Sequence, residues 1–313
     1  MSLIQLKRHS PYAISQCSRH TPCAVAAYAI NCLLFGRLAK IKDVLMGASI
    51  VICLLSPAFA QETPPPPQLH PWGQFEPGAW KLVRVVTESF NEQGSVAGTN
   101  TSDYKTTLLD TDDDGVTLEM RVCVEVAGKR FDGEPQTIKQ NYYGEQQSPG
   151  LKIKDPAAGQ VTIEGRTIPC QVREIESSNA NGKTTTTIYY SATAPPYVLK
   201  RESATTDLEG KNIVSETNVS VQALEMPCRI LGAMRSAAYV KTLQKTPKGT
   251  IYSLAFICPE IPGGIVSNSS KELDSSGRLV RRSTLELVDF NTEPEKGRTG
   301  IFGRKRPPRN RGN

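Results

Sequence analysis

The chain has 313 residues, with 37 Lys+Arg, 31 Asp+Glu, 24 Gly, 22 Pro, 8 Cys and 3 His. Hydrophobic residues make up 38% and charged residues 22%, which suits a globular protein of one or two domains and excludes collagen-like, fully disordered and multi-span membrane chains. Two of the three histidines, His9 and His20, precede an export signal, so His70 is the one imidazole expected in the exported chain, which argues against His-based catalysis and His-ligated metals.

Residues 44 to 59 form an apolar run, preceded by Arg37, Lys40 and Lys42 and closed by Ala58-Phe59-Ala60. Basic flank, apolar core and A-x-A end are the three parts of a secretory signal, with cleavage expected after Ala60. Pro57 and the shortness of the run argue against an uncleaved span, and Ile52 before Cys53 argues against lipid attachment. The leader upstream, with Cys17, Cys23 and Cys32, reads as a start codon assigned too early. Net charge divides as +5 over residues 1 to 60, −4 over 61 to 290 and +5 over 291 to 313. The body is therefore mildly acidic, which excludes a nucleic-acid-binding domain with sequence readout.

After the signal, residues 61 to 76 carry four consecutive prolines, Pro64 to Pro67, and read as an extended spacer. From there to residue 290 the hydrophobic period is two. It is clearest where Val116, Leu118, Met120, Val122, Val124 and Val126 alternate with polar residues. Comparable runs fall near 80 to 89, 102 to 109, 183 to 192, 197 to 205, 211 to 224, 250 to 258, 264 to 273 and 278 to 290. Turn signals separate them, among them Asn91 to Gly94, Asp112 to Gly115, Asn179 to Gly182, Asp207 to Gly210 and Asp274 to Gly277. No stretch offers a long amphipathic helix.

An internal repeat appears at an offset of 67, which superposes Gly182 on Gly249, Pro195 on Pro262, Ser203 on Ser270, Asp207 on Asp274, Gly210 on Gly277, Thr217 on Thr284 and Val221 on Val288. Ile168-Pro-Cys170 and Met226-Pro-Cys228 precede the two copies at an offset of 58, which implies about nine extra residues in the second. Pro77 to Gly94 resembles a third, partial copy. The expected architecture is all-β: a long antiparallel meander in a strongly curved sheet, half-barrel or barrel-like. Its divisions are 1–60 leader and signal, 61–76 spacer, 77–155 first β unit, 156–290 two tandem four-strand repeats and 291–313 disordered basic tail.

Few residues carry chemistry. Asp110, Asp112 and Asp114 before Gly115 match the first half of a calcium loop, but Arg121 stands where the second half needs a bidentate Glu, so an acidic hairpin turn is the better reading and weak calcium binding the alternative. Cys123, Cys170, Cys228 and Cys258 permit two disulfides in an exported protein, or isolated buried thiols. No metal site and no cofactor motif is present, no catalytic residue is named, and a carboxylate-based hydrolase is the one enzymatic alternative. Trp72 and Trp80 flank the entrance to the core, as a plug for one end of the sheet or as an aromatic binding surface. In the tail, Arg304, Lys305, Arg306, Arg309 and Arg311 concentrate enough charge to attract polyanions without sequence readout.

Signal, proline-rich spacer, Pro77-Gly-Ala-Trp80 and the Asp-x-x-Gly hairpins together resemble uncharacterised secreted β-rich proteins of planctomycete-type bacteria. The resemblance implies export and β structure, and no activity. A curved meander behind a signal is also similar in outline to periplasmic lipoprotein-carrier half-barrels. The expectation is a non-enzymatic protein, periplasmic or extracellular, whose curved sheet takes a lipid or other apolar or extended ligand, or an envelope partner. The alternative is an interaction module whose Arg-rich tail engages an anionic envelope component.

Overall fold

A computed structural model describes residues 66–126, 128–145, 150–179 and 182–293; the leader, the signal and the Arg-rich tail lie outside the described residues. The described chain is almost all strand: β1 (Trp80–Phe90), β2 (Val96–Asp112), β3 (Gly115–Val126), β4 (Lys129–Asp132) and β5 (Gln136–Asn141). There follow β6 (Lys152–Ile153), β7 (Ala157–Ile163), β8 (Arg166–Asn179), β9 (Gly182–Tyr190) and β10 (Val198–Thr206). The last five are β11 (Ile213–Ile230), β12 (Ala233–Thr246), β13 (Gly249–Ile257), β14 (Ile265–Asp274) and β15 (Leu279–Asn291).

All 15 strands belong to one antiparallel sheet, in which each long strand pairs with its sequence neighbours and β1 pairs with β15. The first unit is thus hydrogen-bonded to the last. The break near residue 155 is local: Pro156 has no N–H to donate, and it separates β6 from β7 within one edge of the sheet. β4 and β5 share one free edge beside β3, and β6 and β7 share the other beside β8. No pairing joins these two edges among the described residues, so the sheet is curved and open.

The repeat is visible in the hydrogen bonds. Ser191 N–H donates to Tyr197 O as Cys258 N–H does to Gly264 O, and Tyr197 N–H to Ala194 O as Gly264 N–H does to Ile261 O, each pair of bonds 67 residues apart. The hairpin pairs Asp112↔Gly115, Asn179↔Gly182 and Thr246↔Gly249 repeat at the same interval, so the register extends one copy further upstream than the sequence matches indicated. Two expected equivalences fail. The hairpin after Asp207 closes on Asn212 whereas that after Asp274 closes on Arg278, one residue sooner, so Ser283 and not Thr284 occupies the place of Thr217. The Pro-Cys motifs are not equivalent either: Cys170 lies within β8, whereas Cys228 lies one strand earlier in its unit, within β11. Left-handed turns at Glu164-Gly165 and Leu231-Gly232 are 67 apart, and they align Cys170 with Ala237.

The spacer reading of 61–76 holds for no described part of it. Pro67–Leu69 forms a 3-10 turn, and Leu69, His70 and Trp72 are buried. Both tryptophans are buried, and Trp72 lies in the cluster that closes one end of the sheet.

The glycines that open β3, β9 and β13, Gly115, Gly182 and Gly249, each lie against the neighbouring strand. At Gly249, with φ +156, a Cβ would stand 2.0 Å from Leu273 O, whereas at Gly277, with φ +85, it would meet open space. Gly277→Ala is expected to cost about 1 kcal/mol, for the backbone conformation alone. Gly249→Ala should cost about 2–4 kcal/mol, because the strand must also move. Urea denaturation of the two variants separates these effects.

Candidate ligand-binding face

The chemistry-bearing residues of the sequence are mostly engaged in local structure. Asp112 caps its own hairpin: Oδ1 accepts from Asp114 N–H and Gly115 N–H, both at 3.0 Å, and Oδ2 accepts from Lys139 Nζ at 2.7 Å. Those bonds hold its carboxyl below the usual carboxylate range, the lysine bond foremost. Asp110 accepts from the Thr111 N–H next to it, so the three aspartates form an acidic turn and not a converging ligand set. No group of three or more metal-ligating residues occurs among the described residues.

Cys123, Cys170, Cys228 and Cys258, read as disulfide candidates or isolated buried thiols, are free thiols. Cys170 packs with Leu199 and Val221, and Cys228 and Cys258 share a second cluster with Ile230 and Ile261. Burial pushes the thiols of Cys123, Cys170, Cys228 and Cys258 up, which keeps them protonated and poorly nucleophilic. Two carboxylates at the interior are each held by an arginine: Glu145 by Arg201, and Glu272 by Arg281 at 3.6 Å. Arg304, Lys305, Arg306, Arg309 and Arg311 lie outside the described residues.

His70 is structural. It is 4% exposed; Nδ1 accepts from Trp72 N–H at 3.3 Å, which leaves Nε2–H to donate to Gln140 Oε1 at 3.2 Å. Burial, aided by the charge of Arg201, lowers its pKa to about 4. The segment carrying it closes one end of the molecule. Leu69 and Trp72 share a cluster with Leu108 and Leu118 from one end of the strand order and with Ile175 and Ile188 from the other. Lys81 reaches the same end, where its amine donates to Gly263 O at 3.2 Å above the Trp72 ring, and burial lowers its pKa to about 8.

The inner face of the sheet runs away from this plug in rows set by strand register. The deepest row, Val85, Leu285, Asn268, Ala255, Val240 and Val221, is buried throughout. The next is a run of hydroxyls, Thr87, Ser283, Ser270, Ser253 and Thr242, one from each of five adjacent strands. Toward the rim follow Ser89, Arg281, Glu272, Ile251 and Gln244, which are half-buried or exposed. Burial here runs against residue chemistry, since Ser253 is 9% exposed while its strand neighbours Tyr252 and Leu254 are 38% and 41% exposed. Curvature, and not side-chain polarity, decides which face of β13 is inside. Within the face, Thr87 and Ser283 hydroxyls bond at 2.9 Å, and Asn268 Nδ2 donates to Ser253 Oγ at 2.6 Å. The buried Oδ1 of Asn268 has no partner among the described residues.

No residue of this face carries a ligand-binding motif in the sequence. The one sequence signal for this face was the pairing of Ser203 with Ser270, which the register confirms as inward hydroxyls at equivalent positions.

No known protein family matches the sequence, and no curated protein matches it. Among solved structures, a presumed lipoprotein from Parabacteroides distasonis is 14% identical, with 69% of this chain and 97% of that chain covered and a TM-score of 0.30. A presumed exported protein with a YmcC-like fold from Bacteroides fragilis is 12% identical, with the same coverage and a TM-score of 0.27. At these values the similarity transfers neither fold nor function to this chain.

Between pH 6.5 and about 4 the unfolded chain binds a proton at residue 70 and the folded chain does not. Stability is therefore expected to fall as pH drops through that window, with on the order of 3 kcal/mol from His70 alone. Urea titrations near neutrality and near the folded pKa should show this loss in the wild type, and a shallower pH dependence in His70→Gln.

Proposed function

We propose that this is an exported, non-enzymatic protein that holds an extended amphiphilic ligand along the inner face of β12–β15 and β1. The observation that supports this reading is the size of the inward side chains. On that half of the sheet they include Ser253, Ser270, Ser283 and Ala255, small side chains along the wall of the concave face. On the other half, Ile175, Ile188 and Tyr190 meet Leu69 and Trp72, and the interior there is filled by the protein itself. An apolar floor beneath a hydroxyl row suits an acyl chain below a polar group, with few directional contacts and much apolar surface. The unpartnered Oδ1 of Asn268 adds one acceptor for a ligand donor. Export rests on the sequence between Arg37 and Ala60, and the Arg-rich tail would add contact with an anionic envelope component.

The chain expressed with its export segment and purified gently is expected to show a native mass above its denatured mass, with the excess extractable by organic solvent as lipid. Ser253→Phe combined with Ser270→Phe should fill the concavity and abolish the excess while preserving β structure by circular dichroism. A wild-type native mass equal to that of the polypeptide, together with no uptake of a fluorescent fatty acid, would overturn the proposal.

A further inference from the structure

The outer face of β12–β14 differs chemically from the outer face around it. Several outward charges elsewhere are paired across or along strands, as in Arg84 with Asp103, Arg282 with Glu88, Lys154 with Glu174 and Lys200 with Glu202. On β12–β14 the register turns outward Tyr239 and Leu243, then Tyr252, Leu254 and Phe256, then Leu273. Tyr252 and Leu254 are the most exposed of these, at 38% and 41%, and Tyr239 stacks on Phe256 with ring centres 5.1 Å apart.

Three exposed lysines are set among them: Lys241 opposite Leu254, Lys271 opposite Tyr252, and Lys245 toward the rim opposite Thr250. No outward position of these three strands is acidic, and none of the three lysines has a carboxylate within ion-pair distance among the described residues. The nearest acidic residue by register is Glu216, across from Lys245 on β11. Lys271 Nζ lies 5.3 Å from the centre of the Tyr252 ring, so its charge sits over the aromatic group.

We propose that this face docks on an anionic lipid bilayer, with Tyr252 and Leu254 at the headgroup level and Lys241, Lys245 and Lys271 among the lipid phosphates. Tyrosine with an apolar body and polar tip, and lysine with an apolar stem and charged head, both match a boundary between hydrocarbon and water. Unpaired cations without carboxylates give the face the sign that anionic lipid attracts. The choice of cation favours a bilayer over a protein partner, because protein interfaces are depleted in lysine and enriched in arginine, and the three cations here are all lysine.

The test uses the full chain in co-flotation with vesicles of phosphatidylcholine alone and with vesicles in which roughly one-third of the lipid is phosphatidylglycerol. Binding is expected to the anionic vesicles only and to weaken with salt. Replacing all three lysines (K241Q, K245Q, K271Q) should lower partitioning by on the order of 100-fold, at about 5-fold per lysine. Tyr252→Trp should show a blue shift in emission on binding. Tyr252→Ser with Leu254→Ser should weaken binding further, and the lysine variant carries the test if that pair impairs folding. Unchanged binding by the lysine variant, with loss on neutralising Arg304, Lys305 and Arg306, would assign attraction to the tail and overturn the proposal. Binding to soluble polyphosphate or an acidic protein without binding to vesicles would overturn it as well.

Discussion

The structure depends on one seal. A sheet of 15 antiparallel strands curls until β3, near one edge, and β8, near the other, share a hydrophobic cluster, yet no backbone pairing joins the two edges among the described residues. What joins them is side-chain packing around the segment before β1, where Leu69 and Trp72 lie between the two ends and His70 bonds Gln140 of β5. The same segment is tied to the repeat by Gly263 N–H donating to Pro71 O, and to β2 by Gly78 N–H donating to Leu108 O. Burying a tryptophan and a leucine there stabilises by a few kcal/mol, roughly the area each removes from water at 25 cal/mol per Å². That contribution is lost as a unit if the segment detaches.

Duplication explains why the curl is regular. Each unit brings a hairpin glycine packed on the next strand and an Asx-x-x-Gly turn whose side-chain oxygen caps backbone N–H groups, as Asn91, Asn141, Asp207 and Asp274 all do. The Asn91, Asp207 and Asp274 turns lie at one rim, whereas the Asn141 turn lies at the closed end, where Tyr142 and Tyr143 pack with Leu69 and Trp72. Where the copies diverge, the causes are single residues. Pro156 divides what is one long strand in the next copy, and one extra residue after Asp207 shifts the register of β11 relative to β15.

The two faces of the later strands therefore carry opposite chemistries from those an isolated strand would choose. Inside lie serines, threonines and small apolar residues; outside, on β12–β14, lie tyrosines, leucines and lysines. A concave hydroxyl-lined wall and a convex apolar and cationic face are separate surfaces of one sheet. The ligand and the bilayer proposed above would each engage a different one of them. The described imidazole, the four described thiols and the carboxylates of Glu145 and Glu272 are committed to packing, hydrogen bonds or ion pairs.

Much of the fold was legible because strands and turns are local. The period of two along Val116 to Val126, the glycines closing Asp112 to Gly115 and Thr246 to Gly249, and the 67-residue interval are set by neighbouring residues and need no tertiary information. The burial of Leu69, His70 and Trp72 was not legible, since four prolines read locally as a spacer and only the gap between the sheet's ends gives that segment a place to dock. Nor was the alignment of Cys170 with Ala237, because repeated Pro-Cys pairs resemble one another while strand register obeys the turns. By itself the sequence determined that this chain is a repetitive meander of strands with capped turns. Only the tertiary structure decided which face of each strand is inside. A strand offers two faces of equal standing, and the direction in which the whole sheet bends selects between them, placing Ser253 in the interior and Tyr252 at the surface.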